Sequence, residues 1–150
     1  MTTSATRAFT IESLNHLVLR VRDVERSERF YGDVLGLQVR RRRPGRTFFT
    51  CGQNDHDVAI FELGPDAPPP EENRVGLYHF ALRLEGIDEL RAAYRHFKAN
   101  NVNIVGITHH GHTKSIYLKD PDGIEIEVFC DAEHDPNGNE ESVRAELEAD

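Results

Sequence analysis

Apolar and polar residues alternate at two places along the chain, 63 positions apart. Leu17, Leu19 and Val21 point one way, and His16, Val18 and Arg20 the other. Phe80, Leu82 and Leu84 repeat the first set, and His79, Ala81 and Arg83 the second. A period of two is that of a strand with one buried face. After each strand the spacing lengthens to a helical one. One helix is predicted at about Val24 to Leu35, ended by Gly36, and another at about Ile87 to Ala99, ended by Asn100 and Asn101. Short strands follow. In the first half they fall near Leu37–Arg42, Thr47–Cys51 and Asp57–Leu63, with Pro44-Gly45 as a hairpin turn. In the second half they fall near Asn103–Ile107, Ser115–Lys119 and Ile124–Cys130, with Asp120-Pro121-Asp122-Gly123 as a turn.

Each half therefore reads βαβββ, and the two halves are a repeat. NHLVLRVRDVERSERFY from Asn15 lies over YHFALRLEGIDELRAAY from Tyr78, so that His16 meets His79, Leu19 meets Leu82, Arg20 meets Arg83 and Tyr31 meets Tyr94. The predicted fold class is α+β, with two paired βαβββ modules forming a cup-shaped, partly open mixed sheet. The modules span 14–63 and 77–130. An extension, 1–13, precedes them, a Pro-rich linker, 64–76, joins them, and an acidic tail, 131–150, follows. The tail reads as solvated and without chemistry, with a frayed helix at most over Glu140–Ala149.

Charge sharpens this picture. The net charge is −8, but residues 131–150 hold eight acids and one base, leaving a body of 17 bases and 18 acids. A nearly neutral body argues against nucleic-acid binding. Its one basic run, Arg40–Arg43 with Arg46, reads as a solvated edge that discourages strand addition. No apolar stretch approaches the ~20 residues that span a bilayer, and the N-terminus lacks the apolar middle of a secretory signal. The expected compartment is the cytoplasm. Cys51 and Cys130 form no disulfide framework and read as buried thiols.

Three polar residues share the faces turned away from the helices. His16 and His79 hold the same place in the two copies, and Glu127 alternates with the apolar Ile126 and Val128. If the modules pair edge to edge, two imidazoles and a carboxylate converge in one cavity. That set forms a facial triad with coordination positions left open.

With these residues in view, the chain resembles the vicinal-oxygen-chelate superfamily of glyoxalases, fosfomycin- and bleomycin-resistance proteins, epimerases and type I extradiol dioxygenases. The resemblance runs from about Leu14 to Cys130. It rests on NHLVLRVRDVERSERFYGDVLGL (Asn15 to Leu37), LYHFALRL (Leu77 to Leu84) and DPDGIEIEVF (Asp120 to Phe129). It implies that His16, His79 and Glu127 are metal ligands. CGQNDHDVAIF (Cys51 to Phe61) is similar to the segment that carries the dioxygenases' active-site His, which falls here on His56. HHGHTKSIY (His109 to Tyr117) is similar to their His-Gly segment leading to a catalytic Tyr, giving Tyr117 and His110, with His109 or His112 as alternatives.

The implied activity is Fe(II)-dependent extradiol cleavage of a catechol-like substrate by O2, with Mn(II) as a possible substitute metal and a homodimer or larger assembly. Pairing of the modules within or between chains is left open. One rival is a glyoxalase-like lyase or epimerase using Glu62 as an additional ligand. His56 and Glu62, six residues apart and of one parity, lie about 20 Å from each other on a strand, so they cannot both serve one metal. Another rival is a non-catalytic, ligand-sequestering resistance protein. His96 and His134 are not placed to reach the cavity.

Overall fold

The structure is a computed structural model that describes residues 7–150; the first six residues of the N-terminal extension lie outside it. The first module runs β1 (Leu17–Val21), α1 (Val24–Arg29), β2 (Gln38–Arg43), β3 (Arg46–Thr50) and β4 (Val58–Glu62). The second runs β5 (Phe80–Leu84), α2 (Ile87–Ala99), β6 (Asn103–His109), β7 (Thr113–Lys119) and β8 (Glu125–Asp131), and α3 (Glu140–Glu148) closes the chain. The single helix expected up to Leu35 is α-helical only to Arg29 and then widens into a π-helical turn, Phe30–Val34. Gly36, at φ 80°, ends it in the left-handed region that glycine enters without strain.

The sheets have one topology twice over: β1-β4-β3-β2 and β5-β8-β7-β6. β1 pairs parallel with β4, and β5 with β8, across the helical crossovers; the remaining pairs are antiparallel. Both copies carry a register shift at the matching place, between Val39 and Arg41 and between Ile104 and Gly106. The sheets remain open, and β1 and β5 are both edges.

The predicted inward faces are buried or half-buried. Cys130 is buried, but Cys51, read as buried, is exposed because it lies in the loop beyond β3. Leu19, Val21, Phe49, Val58 and Ile60 pack under Phe30 and Tyr31, and Leu90, Tyr94 and Phe97 cover Ile116, Ile126 and Val128. A polar seam joins the modules. Asp122, 6% exposed, accepts hydrogen bonds from Arg22 Nη1 (3.2 Å) and Arg26 Nη2 (2.6 Å), and Tyr31 donates to Asp120 Oδ2 (2.7 Å). Burial pushes the Asp120 carboxyl up, against the pull of the Tyr31 hydroxyl and the Ile124 and Asp122 amides that donate to it.

The tail departs from its solvated reading. Asn139 starts α3 with a capping box, and Val143 and Leu147, four residues apart on one face, are fully buried. Arg91 Nε donates to the Glu146 carbonyl, and Tyr94 Oη donates to Glu148 at 3.0 Å. Acidic composition hid a narrow apolar stripe. Among the described residues no helix is long and apolar enough to cross a membrane.

Candidate metal centre and active site

The sequence-predicted residues gather as two half-sites, one on each sheet. On the second, His79 stands just before β5, beside β8. Its Nε2 is 3.2 Å from Glu127 Oε2. Its Nδ1 lies 3.3 Å from Glu125 Oε2, yet it is buried and makes no hydrogen bond. Ser115, on β7, donates to Glu127 Oε1 at 2.6 Å and fixes that carboxylate's rotation. Tyr117 lies directly opposite Glu127 in the β7–β8 ladder, and its ring centroid is 5.4 Å from that of His79. The Tyr117 hydroxyl and His110 Nε2 are 2.9 Å apart. Burial, then the Glu127 charge, push the Tyr117 phenol up to about 12, so it keeps its proton at neutral pH.

Of the three clustered histidines, His110 is therefore the one that reaches Tyr117. His109 Nδ1 accepts from the Gly111 amide, and the ring lines a groove under the C-terminal segment. His112 stacks on His134 with centroids 4.4 Å apart. His96 sits across the seam, 3.2 Å from the Asp33 carbonyl.

On the first sheet, His16 precedes β1. Its Nδ1 is 2.8 Å from Asn15 Oδ1, which leaves Nε2 free. The ring lies 4.3 Å, centroid to centroid, from that of His56. His56 ends a loop that Asp57 holds in place, accepting from the Cys51 amide and from Asn54 Nδ2, both at 2.6 Å. His56 Nδ1 is 2.9 Å from Asp55 Oδ2, and Arg41 donates to the same oxygen at 3.0 Å. His56, then Arg41, pull the Asp55 carboxyl down to about 2.

Glu62 does not join this group. It lies opposite Val21, at the far end of the β1–β4 ladder from His16, and its Oε2 caps α1 by accepting from the Val24 amide at 2.9 Å. The parity shared by His56 and Glu62 fails because β4 begins only at Val58, and the preceding loop turns His56 toward His16. In one chain Glu62 thus caps a helix and does not stand beside His16.

The described residues of one chain hold no cluster of three or more potential ligands. His79 and Glu127 form one pair, and His16 and His56 another. Sequence reasoning missed two supports. Ser115 shares the Tyr117 parity and Asp55 is next to His56; parity and adjacency were the available signals.

The sequence pattern of the glyoxalase/bleomycin resistance protein/dioxygenase superfamily matches residues 13–128. The chain belongs to this superfamily. It is 34% identical over 119 residues to the catechol-2,3-dioxygenase of Bacillus subtilis, covering 79% of this chain and 41% of that protein. It is 32% identical over 122 residues to a lactoylglutathione lyase of Neisseria meningitidis, covering 77% and 88%. The crystal structure of a glyoxalase/dioxygenase from Nostoc punctiforme superposes with a TM-score of 0.65 at 24% identity, covering 89% of this chain and all of that one. The chain spans less than two thirds of the dioxygenases it matches. Superfamily members thus share this scaffold under different activities, and the site must decide among them.

Proposed function

We propose that this superfamily member is a metal-dependent extradiol dioxygenase that opens a catechol-like ring with O2. His16, His79 and Glu127 are the ligands. Two features of the half-sites fit an ion. His79 Nε2 and Glu127 Oε2 converge to 3.2 Å, the separation of two donors on one centre, and His16 keeps Nε2 free while Asn15 holds Nδ1. Two imidazoles and one carboxylate suit Fe(II), with Mn(II) able to replace it. The bound ion would supply adjacent positions for a vicinal diol and for O2.

The chain's own groups do the rest. His56, tethered through Nδ1 to Asp55, presents Nε2 to take or give a proton beside His16. Tyr117 keeps its phenolic proton and donates to a substrate oxygen, and His110 takes up the hydrogen bond on its other side. One observation carries the reading: His79, Glu127, Tyr117 and His110 meet on one sheet, and His56 meets His16 on the other.

The halves close on each other in a homodimer. β1 and β5 are both free edges, and exposed apolar side chains flank them: Leu14 and Val18 at one, Leu77 and Tyr78 at the other. Laying β1 of one copy beside β5 of a second brings His16 to His79 and Glu127 and covers both edges. The test is oxygen uptake by anaerobically loaded Fe(II) protein given a panel of catechols. Uptake with a yellow ring-opened product is expected. Isomerisation of a hemithioacetal without uptake would overturn the reading.

A further inference from the structure

The outward face of the first sheet holds a row of arginines that the chemistry above does not use. The strand registers define it. Arg20 lies opposite Phe61, Phe61 opposite Arg46, and Arg46 opposite Arg43, so one row crosses all four strands. The row before it reads Val18, Ala59, Phe48, Arg41. Both rows lie on the His16 face, away from α1. An aromatic floor runs between them: the His56 ring is 5.3 Å from Phe48, and Phe48 is 6.0 Å from Phe61.

Charge is distributed unevenly over this floor. Arg41 stands 5.0 Å above Phe48, and Asp55 neutralises it. Arg46 stands 4.5 Å above Phe61. Among the described residues, Arg20, Arg43 and Arg46 have no acidic partner, in a protein whose net charge is −8. Like charges directly opposite on neighbouring strands destabilise a hairpin, so Arg43 and Arg46 work against the β2–β3 pair unless an anion joins them. At the matching places the second sheet has Arg83, Phe129 and Ser115, and Asp131 pairs with Arg83 at 3.3 Å. The unneutralised row belongs to the first module alone.

We infer that this row receives the anionic end of the substrate, so that the site takes an aromatic compound bearing a carboxylate, the carboxylate held on Arg46 between Arg20 and Arg43. The planar guanidinium fork matches a carboxylate in two parallel hydrogen bonds, and an aromatic platform under Arg46 holds that fork in orientation. Arg20 lies four residues beyond His16, roughly 13 Å along the strand. That span accommodates an aromatic ring with a short carboxyalkyl chain. The inference rests on the dioxygenase reading for the ring's far end, while the anion site stands on its own geometry.

The test uses the full chain and two probes without vicinal hydroxyls, 3-phenylpropanoate and its neutral amide, titrated by amide chemical shifts at low salt. The acid is expected to bind about tenfold tighter than the amide. Arg46→Met should reduce that preference to within about twofold, and Arg46→Lys should keep part of it. Arg29→Met removes the same charge from an exposed place on α1 and should keep the preference whole. Equal affinity for acid and amide, a preference that survives Arg46→Met, or equal loss in Arg29→Met would overturn the proposal. A second arm compares oxygen uptake on 4-methylcatechol and on 3-(3,4-dihydroxyphenyl)propanoate. An acid preference in binding with no uptake on either catechol would uphold the anion site and sink the dioxygenase reading. Uptake as efficient on 4-methylcatechol as on the acid would sink the anion site and leave the dioxygenase reading intact.

Discussion

At matching positions of two sheets with one topology, the second module carries Glu127, Tyr117 and Ser115 where the first carries Ala59, Phe48 and Arg46. The leading histidines, His16 and His79, the following Arg20 and Arg83, and Phe61 and Phe129 opposite those arginines keep their type. The second sheet has a carboxylate that accepts from a serine hydroxyl, and a phenol hydrogen-bonded to His110. The first has a buried alanine, a bare aromatic ring and a guanidinium. Duplication supplies two equivalent outward faces, and side-chain replacement at a few ladder positions gives them different chemistry. The proposed ion would draw on both faces, because among the described residues neither holds three ligands of its own.

The largest effect that this contrast predicts comes from making the second module like the first at one position. Glu127→Ala should lower metal affinity at least ~100-fold and reduce oxygen uptake to background, with far-UV circular dichroism unchanged. Retained metal would break the division of labour. Next comes the pairing of faces. His16→Ala and His79→Ala proteins should each be inactive alone. Mixed and allowed to exchange subunits, they should recover roughly a quarter of wild-type activity, since random assortment gives half heterodimers with one intact site each. No recovery on mixing would place both halves of a site in one chain.

Tyr117→Phe, which copies Phe48 into the second sheet, should lower kcat about 10- to 100-fold and leave metal content unchanged. The modules also differ in cover, since only the second lies under α3. Leu147→Ala should destabilise the fold by about 3 kcal/mol in urea unfolding. The smallest effect concerns Asp55, in the first module. Its carboxyl sits at about 2, below the ordinary 3.8, so its contribution to stability is present above pH 3.8 and disappears as the pH falls through 2. Arg41→Met should move its midpoint upward by carbon NMR, still short of 3.8 because His56 remains.

Much of the fold was legible because strand parity and helical spacing are local. Leu19, Val21, Phe80 and Ile126 alternate as buried strand residues must, and Gly36 and the Asp120–Gly123 turn end their elements where the backbone requires it. Parity also chose the face of His16, His79 and Glu127. It could not choose their neighbours. That depends on which sheet edges meet, and no pattern within one strand reports it. The parity of His56 with Glu62 misled because it was counted through a loop. The arginine row stayed hidden for a related reason: Arg20, Arg43 and Arg46 align only once the register between strands is known. The docking of α3 was missed because two apolar residues among acids register as composition and not as a stripe.

The seam at Asp120 and Asp122 has a consequence for how the halves can change. These carboxylates open the strand that bears Glu127, yet their donors, Arg22, Arg26 and Tyr31, come from the opposite half of the chain. A half grafted onto a foreign counterpart would leave Asp122 without its arginines and Asp120 with only the amides of its own turn. The duplicated pieces are therefore no longer spare parts for each other: they have become a lock and its own key, obliged to evolve in step.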